Sequence, residues 1–120
     1  MHQKQELGRN GENIASKVLE NKNYKILERN FRCRQGEIDI IAYDEATKEI
    51  VFVEVKTRTG IKYGEPKEAV QKTKQKHIKL VASYYLYMYS LNDISVRFDV
   101  IEILINNSTY KLNHIKQAFY

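Results

Sequence analysis

The chain has 120 residues, 42% of them hydrophobic and 29% charged, which allows one compact domain over 1–120 with a real core and excludes a disordered tail. Twenty Lys and Arg against fifteen Asp and Glu leave a net charge of +5, a balance that suits a polyanionic partner such as nucleic acid. The single cysteine, Cys33, excludes an internal disulfide and a paired-cysteine zinc site; the absence of any long apolar run makes a cytoplasmic location the expectation, away from membranes.

In chain order, Leu7, Gly11, Ile14, Ala15, Val18 and Leu19 recur at helical spacing and predict an amphipathic helix over about 5–21. Gly8 and Gly11 would let its first half approach another backbone closely. YKILERNFR (24–32), GEIDIIAY (36–43) and EIVFVEVKT (49–57) are rich in β-branched and aromatic residues and read as three strands, the last two joined by the polar turn DEATKE. TRTGIKYGEP (57–66), with two glycines, the only proline and the basic residues Arg58 and Lys62, reads as a surface loop of the kind found at functional edges.

Pro66 suits the first turn of a long helix to about Tyr89, with Val70, His77, Ile78, Val81, Tyr84, Tyr85 and Met88 inward or flanking. VRFDVIEILI and TYKLNHI, separated by an Asn-rich turn, close the chain as two further strands. The expected fold is α/β, in the order αβββαββ.

Acidic residues interrupt two of these strands where packing prefers hydrocarbon. If 36–43 and 49–57 form a regular hairpin about Ala46 and Thr47, Asp39 lies opposite Glu54 and Glu37 opposite Lys56, while Ile41 faces Phe52 and Tyr43 faces Ile50. Directly opposed β-carbons sit ~4.5–5.5 Å apart. Alternation would put Glu37, Asp39, Glu54 and Lys56 on one face and Ile38, Ile40, Val51, Val53 and Val55 on the other.

Two facing carboxylates repel, and burial without compensation is costly, so a cation should sit between them. A divalent ion with oxygen ligands, Mg²⁺ or Mn²⁺, meets that need, and Lys56 could then hold a scissile phosphate or orient the attacking water. That is the equipment for phosphodiester hydrolysis. The plainer alternative is a Glu37–Lys56 ion pair beside a solvated Asp39–Glu54 edge.

GEIDIIA and FVEVKTR, with RNFR before them, RFDV later and GRNGENIA near the start, resemble the YraN family, small bacterial proteins regarded as predicted endonucleases related to archaeal Holliday junction resolvases. The resemblance implies a restriction-endonuclease-like PD-(D/E)XK fold, a mixed sheet flanked by helices, with Asp39, Glu54 and Lys56 as the catalytic signature. It also implies that Glu12 in GENIA completes the metal site with the Val55 carbonyl, where the residues alone would allow a plain helix-margin acid. Lys74, on the stripe Val70, Lys74, His77 and Val81, looks like the family's lysine on this helix and is read as a phosphate contact ahead of the alternative, a structural ion pair; Gln71 is its neighbour. Homodimerisation follows only by analogy.

Arg34, with Arg29 and Arg32, and the stripe Lys72, Lys76 and Lys79 could track a phosphate backbone, or could simply be solvated charge. His77 reads as a packed, hydrogen-bonded side chain, and Asp99 as a structural partner of a neighbouring base. The leading expectation is a metal-dependent endonuclease acting on DNA, branched or structured DNA included. Two alternatives stand beside it: a non-catalytic nucleic-acid-binding module, and an interaction protein using the tyrosines at 84, 85, 87 and 89.

Overall fold

Strands with apolar side chains on both sides must be covered on both faces, and the helices on either side of the strand block supply the cover. A computed structural model of the chain describes residues 2–59 and 70–120, with side chains from Gly8 onward. The described elements run α1 (His2–Asn21), β1 (Tyr24–Cys33), β2 (Gly36–Asp44), β3 (Glu49–Thr59), α2 (Lys72–Met88), β4 (Ser95–Asn106) and β5 (Thr109–Phe119). They form one mixed sheet in the spatial order β1-β2-β3-β4-β5, antiparallel except for the parallel β3–β4 pair.

Each face has its own core. Ala15 and Leu19 of α1 pack on Ile40, Ala42, Val51, Val53, Ile101 and Ile103. Ile78, Val81, Ala82 and Tyr85 of α2 pack on Ile41, Ile50, Phe52 and Val100 across the sheet. Gly11 lies where α1 crosses β3, and a β-carbon there would overlap the Thr57 hydroxyl. Among the described residues nothing lies within 4 Å of a β-carbon placed at Gly8, so there only Gly11 serves close approach.

The β2–β3 hairpin has the register expected from its turn, with Ile40 opposite Val53, Ile41 opposite Phe52 and Tyr43 opposite Ile50. The ladder stops there. Beyond Ile40, β2 continues beside β1 while β3 continues beside β4, so the sheet forks at Asp39 and Glu54.

Four expectations are corrected. β3 runs to Thr59, so Arg58 is a half-buried strand residue and not part of a loop, while Lys62 and Pro66 lie outside the described residues. Gln71 is extended (φ −75°, ψ 159°), so the described helix α2 begins at Lys72. His77 is exposed, since the buried stripe of α2 is Ile78, Val81, Ala82 and Tyr85.

The fourth concerns strand alternation. Ile38 packs with the α2-side core and Ile40 with the α1-side core, so the two do not share a face. The phase changes at Asp39, beside Asn30 of β1, whose φ of 52° breaks the neighbouring strand at the same level.

Candidate functional site

At the fork, backbone groups that would have continued the β2–β3 ladder need other partners. The Val55 N–H finds the Asp39 carboxylate, donating to Oδ2 at 2.8 Å. In an extended strand a residue's N–H and C=O share one edge, so the Val55 carbonyl also faces the fork.

Glu54 is 7% exposed, and its carboxyl lies near enough to that of Asp39 for each to act on the other's titration. Burial first, then the Asp39 charge, pushes the Glu54 carboxyl up to about 7. Asp39 is also raised, by burial above all, with the Val55 N–H and the Glu54 hydrogen bond working against the rise. Loss of water thus holds both acids toward the neutral form, and the Asp39 charge adds to that at Glu54.

Positive charge approaches from two elements. The Lys74 ammonium of α2 lies 3.4 Å from Glu54 Oε2, although half its side chain is in water. Lys56, two residues along β3, adds a weaker attractive field at Glu54. Behind Lys56, β4 places Glu102 directly across the parallel ladder. That carboxylate is 3% exposed; one oxygen receives the Asn113 amide at 3.4 Å, and Oε2 has no hydrogen-bond partner among the described residues. Strand alternation could have flagged Glu102, an acid inside the apolar run VIEILI, but not its position beside Lys56.

The remaining expected residues divide. Glu12, on the turn of α1 fixed by Gly11, has its carboxyl raised by burial and then by the Asp39 charge, so it shares the field of the acid pair. Among the described residues it pairs with Arg29, at 3.9 Å. Glu37 does not meet Lys56. It pairs with Arg32 at 2.5 Å on β1, because β2 and β3 have already separated at that level. Gln71, Arg34 and the stripe Lys72, Lys76 and Lys79 are exposed.

Among the described residues, no group of three or more His, Cys, Asp and Glu side chains converges as a ready-made metal cage. What the fork offers is two carboxylates and a main-chain carbonyl, an all-oxygen set of the size Mg²⁺ takes when water and substrate complete the shell.

A mixed α/β sheet forked around a carboxylate pair, Glu54 buried and Asp39 half-buried, with Lys74 reaching it, is the class of protein these elements define. Residues 11–103 match the family model described as "Uncharacterised protein family UPF0102". A UPF0102 protein from Caldicellulosiruptor saccharolyticus is 48% identical, covering 97% of this chain and 98% of its own. One from Caldicellulosiruptor bescii is 52% identical (95% and 97%), and one from Geobacter metallireducens 50% (94% and 91%). The chain belongs to the UPF0102 family, the YraN family its motifs resemble. Among the described residues no helix is long and apolar enough to cross a membrane.

Proposed function

We propose that this protein is a metal-dependent endonuclease of the PD-(D/E)XK kind, hydrolysing phosphodiester bonds in DNA. The observation that carries the reading is the Asp39–Glu54 pair, held together at the fork with the Val55 N–H clamping Asp39 and two lysines facing the pair. Two carboxyls whose titration is raised by loss of water, that of Glu54 further by the Asp39 charge, are candidates for holding a cation.

Asp39, Glu54 and the Val55 carbonyl would hold Mg²⁺ or Mn²⁺, with Glu12 acting from α1 through an intervening water. The bound ion supplies Lewis acidity at a phosphate oxygen and acidifies water. Lys56 orients the attacking water and the scissile phosphate at the inner end of the fork. Lys74, half in solvent, would meet a neighbouring phosphate. Water attacks phosphorus and gives up a proton to solvent, the bond to one ester oxygen breaks, and the departing oxygen takes a proton from solvent.

Incubation with supercoiled, single-stranded and four-way-junction DNA in Mg²⁺ or Mn²⁺ tests this directly. Cleavage is expected in the wild type and lost by about 10³-fold or more in Glu54→Ala and Lys56→Ala, the scale of removing charge stabilisation from a reacting centre. Undiminished cleavage by those variants, or none by wild type with either metal, would refute it.

A further inference from the structure

At the tip of the β1–β2 hairpin, away from the acids, a cavity of about 420 Å³ opens between the strand ends and the C-terminal half of α2. Phe31 and Tyr84 line it, their rings 6.4 Å apart and tilted by 35°, and Met88 adds a thioether wall. Tyr84 and Met88 are 41% and 47% exposed, so flat, polarisable surface is presented to solvent and is not spent on the core. Arg34 and the Gln35 amide line the same cavity, with the largely exposed Arg32 beside them.

The combination is selective. An apolar ligand would gain nothing from the Arg34 guanidinium, beside an Arg32 already paired with Glu37, and a lone phosphate would gain nothing from an aromatic wall. A nucleotide uses both, its base stacking on Tyr84 and its phosphate meeting arginine, while Gln35 can donate to and accept from a base edge. The volume falls in the range of small-ligand clefts, about 300–1,000 Å³, and so admits one nucleotide, not a duplex.

The position is also informative. Gly36, next to Gln35, begins β2 three residues before Asp39, roughly 10 Å along the strand and therefore a few steps of a nucleic-acid strand. The same α2 that carries Lys74 to Glu54 near its start carries Tyr84 and Met88 to the cavity near its end. A strand with a phosphate at the fork and its path along α2 would bring a nucleotide to the cavity a few positions away.

We infer that this cavity receives an unpaired nucleotide of a nucleic-acid substrate, a few positions from the scissile phosphate, so that flaps, bulges or open junctions are bound in preference to uninterrupted duplex. The distance to the scissile phosphate rests on the nuclease reading; the stacking chemistry of the cavity does not.

The test uses full-length Glu54→Gln protein without added metal, so that no strand is cut. Binding is measured to three DNA probes: a perfect duplex, the same duplex with one unpaired nucleotide, and a single strand. The unpaired probes are expected to bind roughly ten-fold tighter, the scale of one base–aromatic stack. Tyr84→Ala should bring them to the duplex value and Tyr84→Phe should restore the preference, while Arg34→Ala should weaken all probes and reduce the salt dependence. 5-Iodouracil at the unpaired position should crosslink on irradiation to Tyr84 or Phe31. No preference for unpaired probes, no affinity for any of them, or crosslinks confined to other residues would overturn the inference. Metal-dependent cleavage by wild type alongside any of those results would leave the nuclease reading standing; preference and crosslink without cleavage would overturn that reading and not this one.

Discussion

Two groups of buried charge sit at opposite ends of the β2–β3 hairpin, and their acids titrate in opposite directions. At the turn end, Arg97 of β4 is 6% exposed and donates to Asp99 at 2.9 Å through both Nε and Nη2, to Asp44 at 3.0 Å, to Glu49 at 3.1 Å and to the Tyr24 hydroxyl at 2.7 Å. Asp99, fully buried, also holds His114 at 2.7 Å and accepts the Gln117 N–H at 3.0 Å. Burial works to raise Asp44 and Asp99, yet the guanidinium and its companions hold both below the usual carboxylate range.

At the fork, burial works the same way and nothing of comparable strength opposes it, so Asp39 and Glu54 rise. The two sites differ in the donors around each acid, not in depth alone. A buried carboxylate with donors on each oxygen is held in its charged form, whereas an acid pair raised by loss of water gains from any cation brought to it.

The largest expected effect breaks the satisfied site. Arg97→Ala leaves Asp44 and Asp99 buried without their cation and should cost about 3–5 kcal/mol in urea unfolding at neutral pH. Both acids have lowered folded values, so their contribution is present above the ordinary carboxylate range and disappears as pH falls through the folded values. The loss in Arg97→Ala should therefore shrink in acid. A loss that is the same at every pH would mean that packing, not charge, holds that end together.

Glu54→Gln sharpens the contrast with the opposite sign. The Glu54 carboxyl titrates near 7 when folded and near 4.5 in its ordinary state, so between those values the folded protein keeps a proton that the unfolded chain has released. Stability falls as pH rises across that window, and the full penalty stands above 7. Removing the charge should stabilise the metal-free protein by about 1–3 kcal/mol at pH 8 and give no gain below pH 4.5. Mg²⁺ should raise the wild-type Tm, more strongly above pH 7 than below it, by the equivalent of about 2.7 kcal/mol at a hundred-fold excess over Kd, and should not raise that of Glu54→Gln. Equal metal response in both proteins would remove the ion from the fork.

The smallest effect is at the rim. Lys74 is half in solvent, so Lys74→Ala should change stability by no more than about 0.2–1 kcal/mol, yet raise the Glu54 carboxyl further. Carboxyl-resolved NMR titration would detect that rise, and an unmoved Glu54 would show that the ion pair is incidental.

Much of this was readable in the residues. The helical stripe of α1, the polar turn between β2 and β3, the hairpin register that follows from it and the structural role of Asp99 all depend on neighbours in sequence or on a single turn, where period and turn chemistry act directly. Glu37 shows where that reasoning ends. Its assignment to Lys56 assumed that a ladder which is regular at Ile41 stays regular, and the strands part before Glu37 is reached.

Composition and alternation thus determined on their own that acids were set into buried strands, and the turn determined which acids would meet. Only the tertiary structure decided that β2 and β3 separate at Asp39, that the freed Val55 N–H would fix that carboxylate, that Lys74 would reach Glu54 from another element, and that Glu102 would stand beside Lys56. The division has a physical cause: local periodicity sets which way a side chain faces within its own strand, but where two strands part depends on what each pairs with on its other side, and the partners β1 and β4 lie at opposite ends of the chain from one another.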